Sequence, residues 1–184
     1  MLTYLEGNYP GFTIDFVFNP RNKAIFGPLQ EKNALFEPEQ QKMVQNGVVP
    51  QVSTSQIEVY SEKWREQYCA LHRTDTYWTA ERILLARDRF RVLLAIGDGQ
   101  VQGYLDVTYG YDENEPYDLF VKQEAVRQGY ELALFAKAIE LNRPHRMMAL
   151  VDVDAVEDIE IYAAAGFETM EGQNSIYASY QIKS

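Results

Sequence analysis

The chain is short of nearly everything that marks a secreted, metal-binding or nucleic-acid-binding protein. Its one cysteine, Cys69, forbids an intrachain disulfide, so a reducing cytoplasm is the expected compartment. Cys69 stands in no motif with a histidine or an acid and reads as a small buried residue. The two histidines, His72 and His145, lie far apart with no cysteine or carboxylate at ligand spacing, so no metal site is expected. No Ser-His-acid or Cys-His set is visible either, which argues against a hydrolase. Basic residues are the minority, 17 against 27 acidic, giving a net charge of −10. That balance excludes the clustered cations that phosphate backbones need, so nucleic acid is not an expected partner. It suits a cationic partner such as an amine, and equally it suits plain solubility. No stretch of about 18 apolar residues exists, so no membrane span is expected. The opening MLTYLE lacks the basic start and apolar core of a signal peptide.

What is present is core-forming material. Hydrophobic residues make up 46% and aromatics 13% of the 184 residues, enough to fold rather than remain disordered. Between residues 55 and 71, Ile57, Tyr60, Trp64, Tyr68 and Leu71 recur at helical spacing. A second helix is predicted over residues 76–86, with Ile83, Leu84 and Leu85 inward and Thr76 or Thr79 as the cap. Residues 91–96 and 101–108 flank Gly97-Asp98-Gly99-Gln100 and predict an antiparallel hairpin. A polar, acidic loop over 111–116 follows, then an apolar strand over 117–121. Next come Gly129, an amphipathic helix over 132–140, a strand over 147–152 and a helix closing on IYAAAGF at 161–167. An alternating strand over 176–182 ends the chain. Elements in this order make a mixed α/β (α+β) fold, with helices packed over a largely antiparallel sheet.

The run from Tyr117 to Phe167, with its glycine turn and its Tyr-x-x-x-Gly-Phe ending, resembles the acyl-CoA-binding half of the GCN5-related N-acetyltransferases (GNAT). Residues 56–184 resemble almost the whole GNAT acetyltransferase domain. The family's first strand is the missing piece; residues 48–52 are the candidate, weakened by Pro50. Residues 1–50 resemble a partial GNAT-like half repeat, strand-helix-strand, as in tandem acetyltransferases. Aligning Asn19 with Asp152 sets Leu29 on Tyr162 and Met43 on Ile176, although Gly27-Pro28 is expected to bend or split the helix. A half-domain cannot bury its apolar face alone, so Phe12, Ile14, Phe16 and Phe18 must cover another surface. Either an extended intramolecular sheet or a homodimer with exchanged strands is expected.

The resemblance implies an acyl-CoA-dependent N-acetyltransferase that uses acetyl-CoA (coenzyme A) as co-substrate and no metal. Its acceptor is a small-molecule or peptide amine, which attacks the thioester directly. The family's cofactor loop runs roughly Val-x-Pro-x-x-Arg-Gly-x-Gly-x-Gly, so Leu119, Phe120, Val121, Arg127, Gln128, Gly129, Tyr130 and Glu131 fall on cofactor-binding positions. Departures are severe: Gln123 replaces the proline, Val126 the arginine, Arg127 the first glycine and Glu131 the last. Gly129 alone survives, to let backbone N–H groups approach a pyrophosphate at a helix N-terminus. Arg127 offers a cation one position displaced, whereas Glu131 brings a carboxylate toward the phosphates. Tyr162 matches the tyrosine that protonates the departing thiolate, and also suits a core packing role. Glu115 falls on the position of the catalytic base, with Asp118 in the same strand and Asp112 and Glu113 bordering the acceptor side. The alternative is a catalytically inactive GNAT-fold sensor or protein-interaction module with a degenerate cofactor loop.

Overall fold

The computed structural model describes residues 1–183 and, for Arg127, the backbone alone. In chain order it contains α1 (Leu2–Asn8), β1 (Thr13–Phe18), α2 (Lys23–Glu31), β2 (Leu35–Phe36), β3 (Gln40–Gln45) and β4 (Ile57–Val59). Then come α3 (Arg65–Leu71), α4 (Ala80–Leu85), β5 (Phe90–Gly97), β6 (Gln100–Thr108), β7 (Glu113–Asn114) and β8 (Pro116–Val121). The last elements are α5 (Tyr130–Asn142), β9 (Arg146–Asp152), α6 (Val156–Ala164), β10 (Phe167–Thr169) and β11 (Ile176–Gln181). The result is mixed α/β with mostly antiparallel sheets, as the element order predicts. No described helix is long and apolar enough to cross a membrane.

The residues sort into two compact units. One holds Met1–Lys42, Leu150–Val156 and the chain from Thr169 onward. In it β1 pairs antiparallel with β11, from Thr13 opposite Gln181 to Phe18 opposite Ile176, and β2 pairs on the other side of β11. The N-terminal strand therefore joins an intramolecular sheet. Strand alternation turns Ile14, Phe16 and Phe18 onto a core with Leu29, Ile176, Ala178 and Tyr180. Phe12, expected to share that duty, lies ahead of the strand and is 62% exposed. The helix α2 is not split at Gly27-Pro28. Pro28 forfeits only its own N–H, while its carbonyl still accepts from Lys32 and the adjacent Leu29 is fully buried.

The other unit holds Met43–Ala149 and Glu157–Glu168. Its sheet runs β4-β5-β6-β8, antiparallel throughout. Asp98 (φ +52°) and Gly99 (φ +71°) make the two-residue turn that closes the β5–β6 hairpin. Residues 48–52, the candidate first strand, form none; the strand ahead of α3 is β4. Ile57 was expected to open a helix, but it and Val59 are β-branched and pair with Ala95 and Leu93, and helix begins only with a 3-10 turn at Glu62–Trp64 that runs into α3 at Arg65. Helix α4 is shorter than predicted. Thr79 occupies the N-cap position without a side-chain cap bond, and Leu85, expected inward, is 87% exposed at the last turn.

One topological detail positions everything that follows. The two-residue β7 pairs parallel with β9, Glu113 opposite Arg146 and Asn114 opposite Met147. Two residues later β8 pairs with β6 instead and forms no ladder with β9. Asn114 is buried there, donating to the Asn142 side-chain oxygen at 2.9 Å and to the Tyr111 carbonyl at 3.0 Å.

Candidate functional site

The β8–α5 connection is a turn of 3-10 helix, Gln123–Gln128, ended by Gly129 at φ +75°. A left-handed residue reverses the chain so that α5 starts at once at Tyr130, and glycine takes that conformation without strain. Among the described residues, and its chain neighbours aside, no heavy atom lies within 4 Å of where a Cβ of Gly129 would stand, so the turn is open there. Helix α5 has thirteen residues, and its first N–H groups lack intrahelical partners. An open turn feeding such a helix is a fitting cradle for a diphosphate. Gln128 and Gly129 are exposed, and Tyr130 is buried with its hydroxyl against Gly97. Glu131 lies half-buried in the first turn of α5, and burial raises its carboxyl above the usual range. Of the strand positions, Leu119, Phe120 and Val121 are all half-buried in β8, whose outer edge carries no ladder.

Tyr162 reaches the start of the same strand. Its hydroxyl donates to the Pro116 carbonyl across a long 3.3 Å, and its ring packs edge-on against Phe135 and Phe167. Gly166 (φ +82°) stops the chain after α6 and lets Phe167 turn under that cluster. Burial first, then the Glu115 carboxylate, pushes the Tyr162 phenol well above its ordinary range, so it stays protonated at neutral pH. Glu115 is the single residue between β7 and β8, and its N–H donates to Thr108 Oγ1 at 2.6 Å. It lines a cavity of about 320 Å³ with Glu113, Thr108, Trp78, Phe90, Tyr111 and Tyr117. A larger cavity of about 500 Å³, edged by Arg143, His145 and Arg146, has no carboxylate in its lining and is lined by neither Glu115 nor Tyr162. The fold thus brings Glu115, Pro116 and Tyr162 together.

The most heavily buried polar group was not anticipated. Spacing along the chain gave His72 no carboxylate neighbour, yet its Nε2 lies 2.9 Å from Asp106 Oδ2 and 3.7 Å from Asp118 Oδ2. The hydroxyl of Tyr68 donates to both Asp106 oxygens at 2.9 and 3.0 Å, and Tyr104 donates to Asp118 at 2.9 Å. The imidazole stacks on the Tyr104 ring with 4.9 Å between centroids. Its Nδ1 faces the Arg73 carbonyl at 2.9 Å, so Nδ1 must carry a proton. Since Nε2 faces a carboxylate oxygen, a second proton lies between His72 and Asp106. Burial disfavours charge on both partners. The Asp106 carboxyl is pushed up to about 6, while for His72 the bonds to Asp106 and Arg73 outweigh burial and raise its pKa. His72, Asp106 and Asp118 each offer one ligand atom, all within 4.8 Å of one another, and are the described residues best placed to hold a cation. The hydrogen bonds satisfy them without one.

No family model and no curated protein matches this sequence. Solved structures do. A putative GNAT-family acetyltransferase from Novosphingobium aromaticivorans superposes with a TM-score of 0.64 at 14% identity, covering 98% of this chain and 79% of that one. A GCN5-related N-acetyltransferase from Sphaerobacter thermophilus gives 0.67 at 11% identity, over 95% of this chain but only 61% of the other. A tandem GNAT protein of the clavulanic acid biosynthesis pathway gives 0.59 at 16% identity, over 94% of this chain and 64% of that one. At such identities the likeness lies in the architecture, and the chain carries the fold of the GCN5-related N-acetyltransferases.

Proposed function

We propose that this chain is an acyl-CoA-dependent N-acyltransferase, moving an acetyl group from acetyl-CoA to a primary amine by direct attack. One observation carries the reading. The open Gly129 turn heads α5, one 3-10 turn after a strand whose outer edge carries no ladder, and the Tyr162 phenol sits on that strand's first carbonyl. The N–H groups at the start of α5 hold the diphosphate, and the edge of β8, through Leu119 to Val121, offers backbone groups to the pantetheine amides. The Glu115 carboxylate takes the proton that the amine nitrogen loses as it bonds to the thioester carbon. The carbon–sulfur bond breaks, and Tyr162 gives its proton to the departing sulfur and recovers one from solvent. We read residues 1–50 as a partial first repeat, supported by the order of β1, α2 and β3.

Calorimetry with acetyl-CoA tests this. Saturable heat is expected, with affinity falling at least tenfold in Gly129→Glu and in Arg127→Glu. Absence of heat with acetyl-CoA, CoA and longer acyl-CoAs would overturn it. A second reading, an inactive sensor on the same fold, is favoured by Glu131, whose half-buried carboxyl stands in the first turn of the same helix. That reading predicts no heat with any acyl-CoA.

A further inference from the structure

The cavity of about 500 Å³ lies at the C-terminal end of α5, whose thirteen residues set it about 20 Å from the Gly129 turn. Its lining includes the loop Arg143-Pro144-His145-Arg146, which brings two guanidiniums and an imidazole to one space within four residues. All three are exposed side chains, and among the described residues none of them enters an ion pair. Arg143 Nη2 donates at 3.2 Å to the Gly47 carbonyl, a neutral partner that leaves its charge unbalanced. Glu113, opposite Arg146 in the β7–β9 ladder, lines the smaller cavity instead, and the Glu168 carboxylate accepts from the Asn46 amide at 3.0 Å.

The end of α5 does not need these cations. Its Leu141 carbonyl accepts from the Arg91 guanidinium and its Asn142 carbonyl from the His145 N–H. The loop is also fixed from within. Asn142, 4% exposed, lines the cavity, and its Nδ2 donates to the His145 and Arg146 carbonyls at 3.0 and 3.1 Å while Asn114 donates to its Oδ1. A buried amide thus holds in place the segment that carries the charges, before any ligand arrives.

We propose that this cavity binds a phosphate monoester carried on a small apolar body, at a site separate from the acyl-CoA cradle. Guanidiniums grip phosphate oxygens with paired N–H groups, and a monoester carries about −1.5 to −2 at pH 7, the charge that two arginines balance. The His145 ring adds a donor. Val44, Ile139 and Met147 supply apolar lining that free phosphate would leave unused. Both arginines come from one short loop, so they converge on one doubly charged group rather than on the separated ends of a dicarboxylate. The volume falls within the roughly 300–1,000 Å³ of small-molecule pockets.

The test titrates the full chain with phenyl phosphate, inorganic phosphate and succinate in about 150 mM KCl, which screens loose surface association. Calorimetry and phosphorus NMR read the binding. Saturable binding of phenyl phosphate is expected, about tenfold or more tighter than either other anion and undisturbed by saturating acetyl-CoA. Arg143→Gln and Arg146→Gln, at exposed positions that folding does not depend on, should each weaken it about tenfold or more. Arg21→Gln, exposed elsewhere, should leave it unchanged. Absence of saturable binding overturns the proposal, as does equal affinity for inorganic phosphate or succinate, or binding that survives both loop substitutions. Displacement by acetyl-CoA would make the cavity part of the cofactor site and overturns a separate one. If acetyl-CoA itself does not bind, the acyltransferase reading falls and the two loop variants still decide this site.

Discussion

Asp106 and Asp118 stand directly opposite each other on neighbouring strands, and His72 is the group that lets them do so. Like charges in register across a sheet destabilise it, and Asp106 is wholly buried. The imidazole between them, protonated on both nitrogens or sharing one proton with Asp106, removes that repulsion. Deleting it leaves a buried carboxylate without its counterion. His72→Ala is therefore expected to cost about 3–5 kcal/mol in urea unfolding at pH 7, and Asp106→Asn distinctly less.

The same pair sets a pH dependence. Both folded pKa values lie above their unfolded ones, from 3.8 up to about 6 for Asp106 and upward from 6.5 for His72. The native state thus holds more protons than the unfolded chain from about pH 4 to above 6.5. The His72 contribution is complete below pH 6.5 and is lost as pH rises through its raised folded value. Stability should fall with rising pH across that window. Chemical unfolding of wild type minus that of His72→Ala isolates the slope, and a difference flat from pH 5 to 8 would contradict the shared proton.

Tyr162→Phe removes the side-chain hydroxyl that donates to the first carbonyl of β8. Its long 3.3 Å bond contributes little to folding, so the variant should stay within about 1 kcal/mol of wild-type stability. Turnover, if the hydroxyl protonates the leaving thiolate, should drop about a hundredfold or more with CoA affinity unchanged. Stopped-flow and calorimetry together read the two effects, and an equal loss in both would make Tyr162 a binding residue.

Two glycines should respond to alanine for different reasons. At Gly103 a Cβ would stand 2.5 Å from the Phe120 carbonyl and 3.0 Å from Val121 Cα, backbone atoms that cannot swing aside. Gly103→Ala should force β6 and β8 apart and cost about 1–3 kcal/mol. At Gly129 the space is open, but a side chain at φ +75° carries a left-handed penalty of about 1 kcal/mol. Unfolding curves for the two variants should differ accordingly, with acetyl-CoA affinity surviving better in Gly129→Ala than in Gly129→Glu.

Legibility followed punctuation. The run from β8 through Gly129, α5, β9, α6 and Gly166 to Phe167 could be read because glycines at positive φ mark its turns and apolar runs fill the spaces between. Residues 55–71 misled because Ile57 and Tyr60 fit a helical period as well as a strand, and only pairing with Leu93 and Ala95 decides. Leu85 misled because α4 ends there, turning its last residue to solvent. The His72–Asp106–Asp118 group left no trace in spacing. Its members come from the end of α3 and from two different strands, and only the β6–β8 register makes them neighbours.

The fork between β7 and β8 falls on Glu115, whose N–H donates to Thr108 Oγ1 and whose carbonyl accepts from the Thr108 N–H. Its predecessor is locked into one sheet by Met147, and Pro116 into the other by Val107. A slip of one residue in either ladder would carry the carboxylate away from the cavity it lines or flip it to the opposite side. Random insertions or deletions within residues 109–118 should therefore be tolerated only where they leave that junction untouched, before Glu113, in the stretch from Tyr109 to Asp112.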